Sequence, residues 1–317
     1  MNDSTLLLGI TFLCILLGFT MWSRARFQDP YGLFHLTLNK SPSGDPDAPP
    51  STEWLNMGYW KVSAAGSYLQ KVFDLRIQDA RNLPEASLAL KLTTAAHLKE
   101  GGSVLDVGHG TGESLLLLLS ELSLPRPSRL AGITSLAVHH QRSLERVQKL
   151  QSTCQAPTKV DLHHGDAVYD GSTVNHPLSP SAAGAFDSIL ALDCAYHLHT
   201  RRRFLEQSFA KLAPRGTIAL ADVCFSSAAL VTRWTKIVTS VLRMMPPSNL
   251  ISDEEYVAQM KEIGFIDVTL EDITPDVFPG FIAFLKGRGW GWWIFGMVMQ
   301  CYAGAGAKFV IVSGRKS

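Results

Sequence analysis

Hydrophobic positions along the chain fall into two regimes. Residues 4–23, STLLLGITFLCILLGFTMWS, are apolar with scattered small polar side chains and carry no charge. A helix of that length spans roughly 30 Å at about 1.5 Å per residue, the thickness of a bilayer's hydrocarbon core. A cleaved signal peptide needs a basic start and a small-residue cleavage site, whereas MNDST precedes the run and TMWSRAR follows it. A transmembrane anchor at residues 4–23 is expected, with Trp22 at the interface. Arg24 and Arg26 follow it while only Asp3 precedes, which orients a single-pass chain with its catalytic part in the cytosol. The endoplasmic reticulum is the expected membrane. Residues 24–52 form a linker, ending in the Pro-, Ser- and Asp-rich KSPSGDPDAPPST, an extended spacer.

From about residue 85 the pattern changes to short apolar runs alternating with helix-length segments. That alternation predicts βαβ units and a mostly parallel α/β sheet with helices on both faces. Strands are expected at 103–107, 129–134, 160–164, 188–192 and 217–222, with late ones at 266–270 and 308–312. Helices are expected at 113–122, 137–151 and 201–212, and residues 166–185, rich in Gly, Ser and Pro, read as a long loop. A doubly wound sheet binds its ligand at the carboxyl ends of the strands, where strand order reverses. A cap insertion at about 225–250 carries Trp234, Ile237, Met244 and Met245. Ser252 and Glu255 then form a capping box that restarts a helix. Residues 277–306 are a second apolar stretch with Trp290, Trp292 and Trp293. Lys286, Arg288 and several glycines argue against a second span, leaving a lid or an interfacial contact ahead of plain core.

Composition narrows the function. The 317 residues carry 29 basic and 28 acidic side chains, a net charge of +1, so there is no basic footprint and no nucleic-acid partner is expected. Charged residues are 18% and hydrophobic ones 46%, which excludes disorder. A mean hydropathy of +0.09 fits an ordinary α/β enzyme plus an apolar segment. Five scattered cysteines form no CxxC, and ten histidines form no HExxH, so neither a disulfide framework nor a metal site is expected. The sequence carries no signal for oligomeric state.

The chemistry concentrates in Asp106-Val107-Gly108-His109-Gly110-Thr111-Gly112, directly before Glu113-Ser114 and a leucine-rich helix. Glycines there let backbone approach a ligand, and the helix start offers free N–H groups. A dinucleotide fingerprint would need glycine where Glu113 stands, and there is no Gly-Lys-Ser/Thr of a P-loop. Asp106 at the strand end suits a ligand bearing an ammonium group. The segment resembles motif I of the class I S-adenosylmethionine-dependent methyltransferases.

Other strand ends support the resemblance. Gly132-Ile133-Thr134 with Gln141-Arg142 is similar to the tocopherol, sterol C-24 and cyclopropane-fatty-acid group, which places a ribose contact at Thr134 and, where that group has Gln, at His139. His164-Gly165-Asp166-Ala167 matches the adenine site, with the Asp166 carboxylate accepting from the adenine amino group and the Ala167 backbone meeting the ring. Leu192-Asp193-Cys194-Ala195-Tyr196-His197 corresponds to the loop beside the methyl group, without the Asn/Asp-Pro-Pro-Tyr/Phe of amide and adenine-nitrogen methylases. Asn56-Met57-Gly58-Tyr59-Trp60 resembles the element that folds over the cofactor, with Tyr59 at the methionine carboxylate. Leu212-Ala213-Pro214-Arg215-Gly216 resembles the family's Leu-x-Pro-Gly-Gly turn, with Arg at the first Gly. The resemblance thus implies a Rossmann-like, seven-stranded methyltransferase domain over residues 53–317, with S-adenosyl-L-methionine as cofactor. The binding set it implies is Tyr59, Asp106, Gly108, Gly110, Gly112, Thr134, His139, Asp166, Ala167 and Asp193.

His197 and Asp193 are the catalytic candidates. Imidazole titrates near neutrality and suits a base or an orienting group, the alternative being a histidine packed under the helix at 201–212. Cys194 reads as a small buried residue, since methyl transfer needs no thiol nucleophile. The expected activity is methylation of a hydrophobic, lipid-like small molecule, such as a sterol, quinone, chromanol or fatty acyl compound. The alternatives are a soluble small-molecule acceptor and a non-catalytic cofactor-binding scaffold.

Overall fold

The structure is a computed structural model and describes residues 38–39, 52–60, 84–153, 158–173 and 175–317. The expected anchor at 4–23 lies outside the described residues, as does most of the linker. Among the described residues no helix is long and apolar enough to cross a membrane.

Seven strands form one sheet: β1 Ser103–Val107, β2 Arg129–Thr134, β3 Lys159–His164, β4 Phe186–Leu192, β5 Leu212–Phe225, β6 Ile266–Asp272 and β7 Ala307–Arg315. Their order is β3-β2-β1-β4-β5-β7-β6, with β7 antiparallel to both neighbours. The innermost strands are nearly continuous apolar runs because helices cover both of their faces. In β1 every residue after Ser103 is buried, and Asp106 lies in register with Gly132 on one side and Leu190 on the other. Strand order reverses between β1 and β4, which opens the crevice where ligands of such sheets bind.

The helices follow the apolar periodicity: α1 Pro84–Ala95, α2 Glu113–Ser120, α3 Ala137–Thr153, α4 Arg201–Lys211, α5 Ser227–Leu230, α6 Arg233–Leu242, α7 Asp253–Ile263, α8 Thr274–Lys286 and α9 Trp290–Gly304. Two apolar clusters flank the sheet. Leu88, Leu115, Phe278 and Phe309 belong to one, and Leu105, Phe204, Tyr256 and Val310 to the other. The capping box forms as expected: Glu255 N–H donates to Ser252 Oγ at 3.1 Å and Ser252 N–H to Glu255 Oε2 at 2.8 Å.

Three details depart from the sequence pattern. The helix expected to reach 122 ends at Ser120, and Leu122 stands in solvent. β5 starts at Leu212, five residues before the expected 217, because Leu212 pairs with Phe186 across a bulge. Within it Arg215 takes φ +63°, which explains why a glycine suits that position. The stretch 277–306 divides between roles. As α8 and α9 it inserts between β6 and β7, buries Phe278, Leu285 and Tyr302 in the core, and leaves Trp290 and Trp293 exposed.

Candidate active site

A cavity of about 400 Å³ opens over the carboxyl ends of β1 to β4, within the range of about 300–1,000 Å³ usual for small-molecule sites. Gly108, Gly110, Thr134, His139, Asp166, Ala167, Asp193 and His197 all line it, so eight of the residues expected from the sequence converge.

The glycine turn does more than clear space for a ligand. Gly108, Gly110 and Gly112 all have positive φ, where a side chain is strained. A Cβ on Gly108 would stand 2.6 Å from Cys194 Sγ, and one on Gly110 would stand 2.6 Å from Leu55 Cδ1. These two glycines let the β4 loop and the segment 52–60 close onto the motif. Gly112 stands behind the cavity wall as the left-handed N-cap of α2, close to Ser143.

Asp106 also lies behind the wall. It is fully buried and accepts from Ser114 Oγ at 2.5 Å, and Ser114 is the residue that faces the cavity. Burial pushes Asp106 up to about 7 although the Ser114 bond pulls it down. A cationic ligand group near this pair favours the ionised form. His109, inside the motif, is buried and neutral, its imidazole pushed down to about 3 by burial, and its ring occupies the space that a side chain at Gly132 would fill.

At the next strand ends, Thr134 and His139 are buried in the wall while Asp166 sits at its rim. Asp166 Oδ1 accepts from Val168 N–H at 2.8 Å, and its carbonyl accepts from His176 at 2.8 Å, which fixes the turn carrying Ala167.

The β4 loop supplies the polar floor. Asp193 has φ +55°, and its Oδ2 accepts from Met57 N–H at 2.7 Å, while its buried Oδ1 has no hydrogen-bond partner among the described residues. Burial pushes Asp193 up to about 8, against the Met57 and Tyr196 hydrogen bonds. His197 packs its ring on Tyr196 at 4.1 Å between centroids. Burial drives it down to about 4, and the ring hydrogen-bonds the Met244 backbone. Its imidazole is therefore neutral at pH 7. Cys194 donates to the Val107 carbonyl at 3.2 Å and burial holds its thiol well above the usual range, as befits a packing residue.

Tyr59 corrects the sequence expectation: it does not reach the cavity. Gly58, at φ +78°, reverses the chain after Met57, and its N–H donates to Asn56 Oδ1 at 2.9 Å. Tyr59 therefore points to Lys91, 5.4 Å from its ring, and interacts with Asp276. Trp60 is buried against Gly280 and Phe284. The residues of this segment that line the cavity are Glu53 to Met57.

The charge pairs that seat this segment escape sequence reasoning. Glu53 is bound by Arg142 in a bidentate pair, Arg146 approaches it at 3.6 Å, and Glu113 accepts from Arg146 at 2.7 Å and from Glu53 N–H at 2.6 Å. Burial pushes Glu53 up, but the two arginines outweigh it and hold its carboxyl below the usual range. Above the site, Met244 of the cap, Phe281 of α8 and Phe295 of α9 complete the wall.

The donor set fits S-adenosylmethionine: a buried carboxylate–hydroxyl pair beside a glycine turn, a hydroxyl and an imidazole at the β2 end, and a carboxylate with an apolar backbone step at the β3 end. Comparison with known proteins agrees. A family model described as a methyltransferase domain matches residues 80–270. Erythromycin 3''-O-methyltransferase of Saccharopolyspora erythraea is 26% identical over 80% of this chain and 72% of its own. O-methyltransferase resE of Aspergillus sclerotiorum is 23% identical over 71% of this chain and 74% of its own. Among solved structures, geranyl diphosphate C-methyltransferase from Streptomyces coelicolor superimposes with a TM-score of 0.63 at 15% identity, over 86% of this chain and 95% of that one. The site and fold define a class I S-adenosylmethionine-dependent methyltransferase of small-molecule type. The chain belongs to the methyltransferase-domain family.

Proposed function

We propose that this methyltransferase methylates a hydroxyl group on a hydrophobic, lipid-like small molecule, and does so at a membrane. The observation that carries the proposal is the placement of His197 and Asp193 together in the lining of a largely apolar cavity. An alcohol must lose a proton as its oxygen is methylated; burial makes the His197 ring a weak base, so it takes the proton late, once bonding to the methyl group has made the oxygen acidic. The two relatives named above bear names of O-methyltransferases, which supports oxygen as the methylated atom.

When bound, S-adenosylmethionine supplies an electrophilic methyl group on sulfur. The chain's own residues bind, orient and exclude water. Ser114 with Asp106, Thr134 with His139, and Asp166 with Ala167 would hold the cofactor from one end to the other. Residues 53–57 cover it. Asp193 Oδ1 offers a polar contact at the junction of the two ligands. His197 holds the acceptor oxygen and takes its proton. Since the sulfonium is reactive already, alignment in a dry cavity accounts for much of the acceleration.

The acceptor end supports an apolar substrate. Phe281, Phe295, Met244 and Leu198 wall it, and the elements that provide them carry exposed Trp234, Ile237, Trp290 and Trp293. Residues 226–250 and 277–306 contain five basic side chains (Arg233, Lys236, Arg243, Lys286, Arg288) and no acidic one, a balance suited to an anionic lipid surface. With the apolar run at 4–23 as a single-pass anchor, the domain would sit on the cytosolic face, in the endoplasmic reticulum by expectation. The test offers the full chain, in phospholipid vesicles with radiolabelled S-adenosylmethionine, a sterol, a chromanol, a long-chain alcohol and a soluble sugar. Transfer to one of the first three supports the proposal; transfer to the sugar alone overturns it.

A further inference from the structure

Asn249 belongs to the short turn Pro247–Asn249 that closes the cap, yet its side chain serves the loop after β4. Its Nδ2 donates to the Tyr196 carbonyl at 2.9 Å and to the Leu198 carbonyl at 2.7 Å, the two carbonyls that flank His197. Its Oδ1 accepts from the Arg201 N–H at 3.0 Å, which opens α4. The side chain thus makes three hydrogen bonds in a residue that is 1% exposed.

Its own seat is rigid. The Asn249 carbonyl accepts from Arg201 Nη2 at 2.8 Å, and Arg201 Nη1 binds Asp222 Oδ2 at 2.7 Å and the Val223 carbonyl at 3.0 Å. Tyr256 donates to the same Asp222 oxygen at 2.7 Å. A fully buried ion pair of this kind holds geometry, because breaking it strands a charge. On the other side of His197, the ring hydrogen-bonds the Met244 backbone, and Met244 N–H donates to the Tyr302 hydroxyl at 3.1 Å. His197 lies in a three-residue turn, Ala195–His197, too short to fix its own side chain. Its ring packs on Tyr196, and the cap adds contacts of its own: Asn249 to the flanking backbone and Met244 to the ring.

We propose that Asn249 is a positioning residue, which holds the His197 imidazole against the acceptor and makes that alignment depend on the seating of the cap. The proposal rests on the assignment of His197 as base.

The experiment uses the full chain, labelled with 15N-histidine in detergent micelles, with His197→Gln identifying the His197 signals. Asn249→Asp keeps the size and the acceptor and removes both donors; Asn249→Ala replaces it if the aspartate variant fails to fold. Three results are expected of the variant. S-adenosylmethionine affinity stays within about 2-fold, the His197 ring nitrogens pass from one tautomer to an average of two, and methyl transfer to a total lipid extract falls by about 10- to 100-fold. In the His197→Gln background the same change costs no more than about 2-fold. Unchanged His197 signals, or an equal loss of transfer in both backgrounds, overturns the proposal. So does averaging between tautomers in the unaltered chain, which needs no variant. If His197→Gln leaves transfer untouched, the base assignment fails, while the nitrogen signals still report whether Asn249 positions the ring.

Discussion

Glu53 and Arg142, 89 positions apart in sequence, are joined by two hydrogen bonds of 2.6 Å, one each from Nε and Nη2 of the guanidinium. Glu53 is buried and Arg142 is about one-third exposed, so the pair seats the segment 52–57 on α3 from the protein side while remaining reachable from solvent. Arg142→Ala removes the bidentate contact and leaves Glu53 with Arg146 and Thr111. Charge-assisted hydrogen bonds of this exposure are worth about 1–2 kcal/mol. The expected outcome is about tenfold weaker S-adenosylmethionine binding by calorimetry and a lower thermal midpoint, with Arg142→Lys intermediate because lysine cannot form the fork. Unchanged affinity would remove this segment from the cofactor site.

Asp106 links binding to protons. Burial holds it near 7 in the free protein, and a cationic group at Ser114 draws it to the ionised form. Binding below pH 7 then releases a proton from Asp106, and the Asp106 contribution to affinity rises with pH up to about 7 and levels off above it. Calorimetry in buffers of different ionisation enthalpy measures the proton count directly. Asp106→Asn should flatten the profile and weaken binding by about 10- to 100-fold; a profile that keeps its slope in the variant contradicts the assignment.

His197 adds an acid-sensitive stability term. Its folded value near 4 lies below the ordinary 6.5, so the unfolded chain binds the extra proton between those two values. Its contribution is complete above about pH 6.5 and is lost as pH falls towards 4, by about 3 kcal/mol in all. Measured against His197→Gln, the stability of the unaltered chain should lose ground across that window and stay constant above it. A gap that does not change with pH shows that His197 is not buried as a neutral ring.

Arg215 stands at φ +63° on the exposed bend of β5, where a non-glycine residue is strained by about 1 kcal/mol. Arg215→Gly should raise the unfolding free energy by about 0.5–1 kcal/mol without touching cofactor affinity. A loss of stability would mean that the arginine side chain has a contact worth more than the strain.

Legibility in the sequence tracks how local the cause is. β1, the glycine turn and α2 were readable because a buried strand and a helix start must follow one another with glycine between them, and β2 matches its expected bounds residue for residue. Asp166-Ala167 and Asp193 were readable from their places at strand ends. Tyr59 was not, since Gly58 turns the chain by a φ that the letters Asn-Met-Gly-Tyr-Trp do not reveal. Pro214-Arg215-Gly216 reads as a loop because the bulge that carries β5 through it depends on Phe186, far off in sequence. Glu53, Ser114 and Asn249 were missed for one reason. Each acts through a polar partner brought near by tertiary packing, and neither composition nor periodicity encodes such a pairing. Glu53 at least had a clue, since it precedes the recognisable Asn-x-Gly-Tyr-Trp element on a chain that must close over charged helix termini. For Asn249 there was none, because an asparagine before an apolar pair reads as an ordinary turn residue.

The proposed methyl acceptor is a hydroxyl oxygen of an apolar molecule. The most direct measurement incubates the full chain with methyl-labelled S-adenosylmethionine and a total lipid extract, separates organic from aqueous phases, and treats the labelled organic product with hydriodic acid. Label in the organic phase, released as methyl iodide by the acid and absent with His197→Gln, is the predicted result. Label confined to the aqueous phase, or organic label that the acid cannot release, contradicts it.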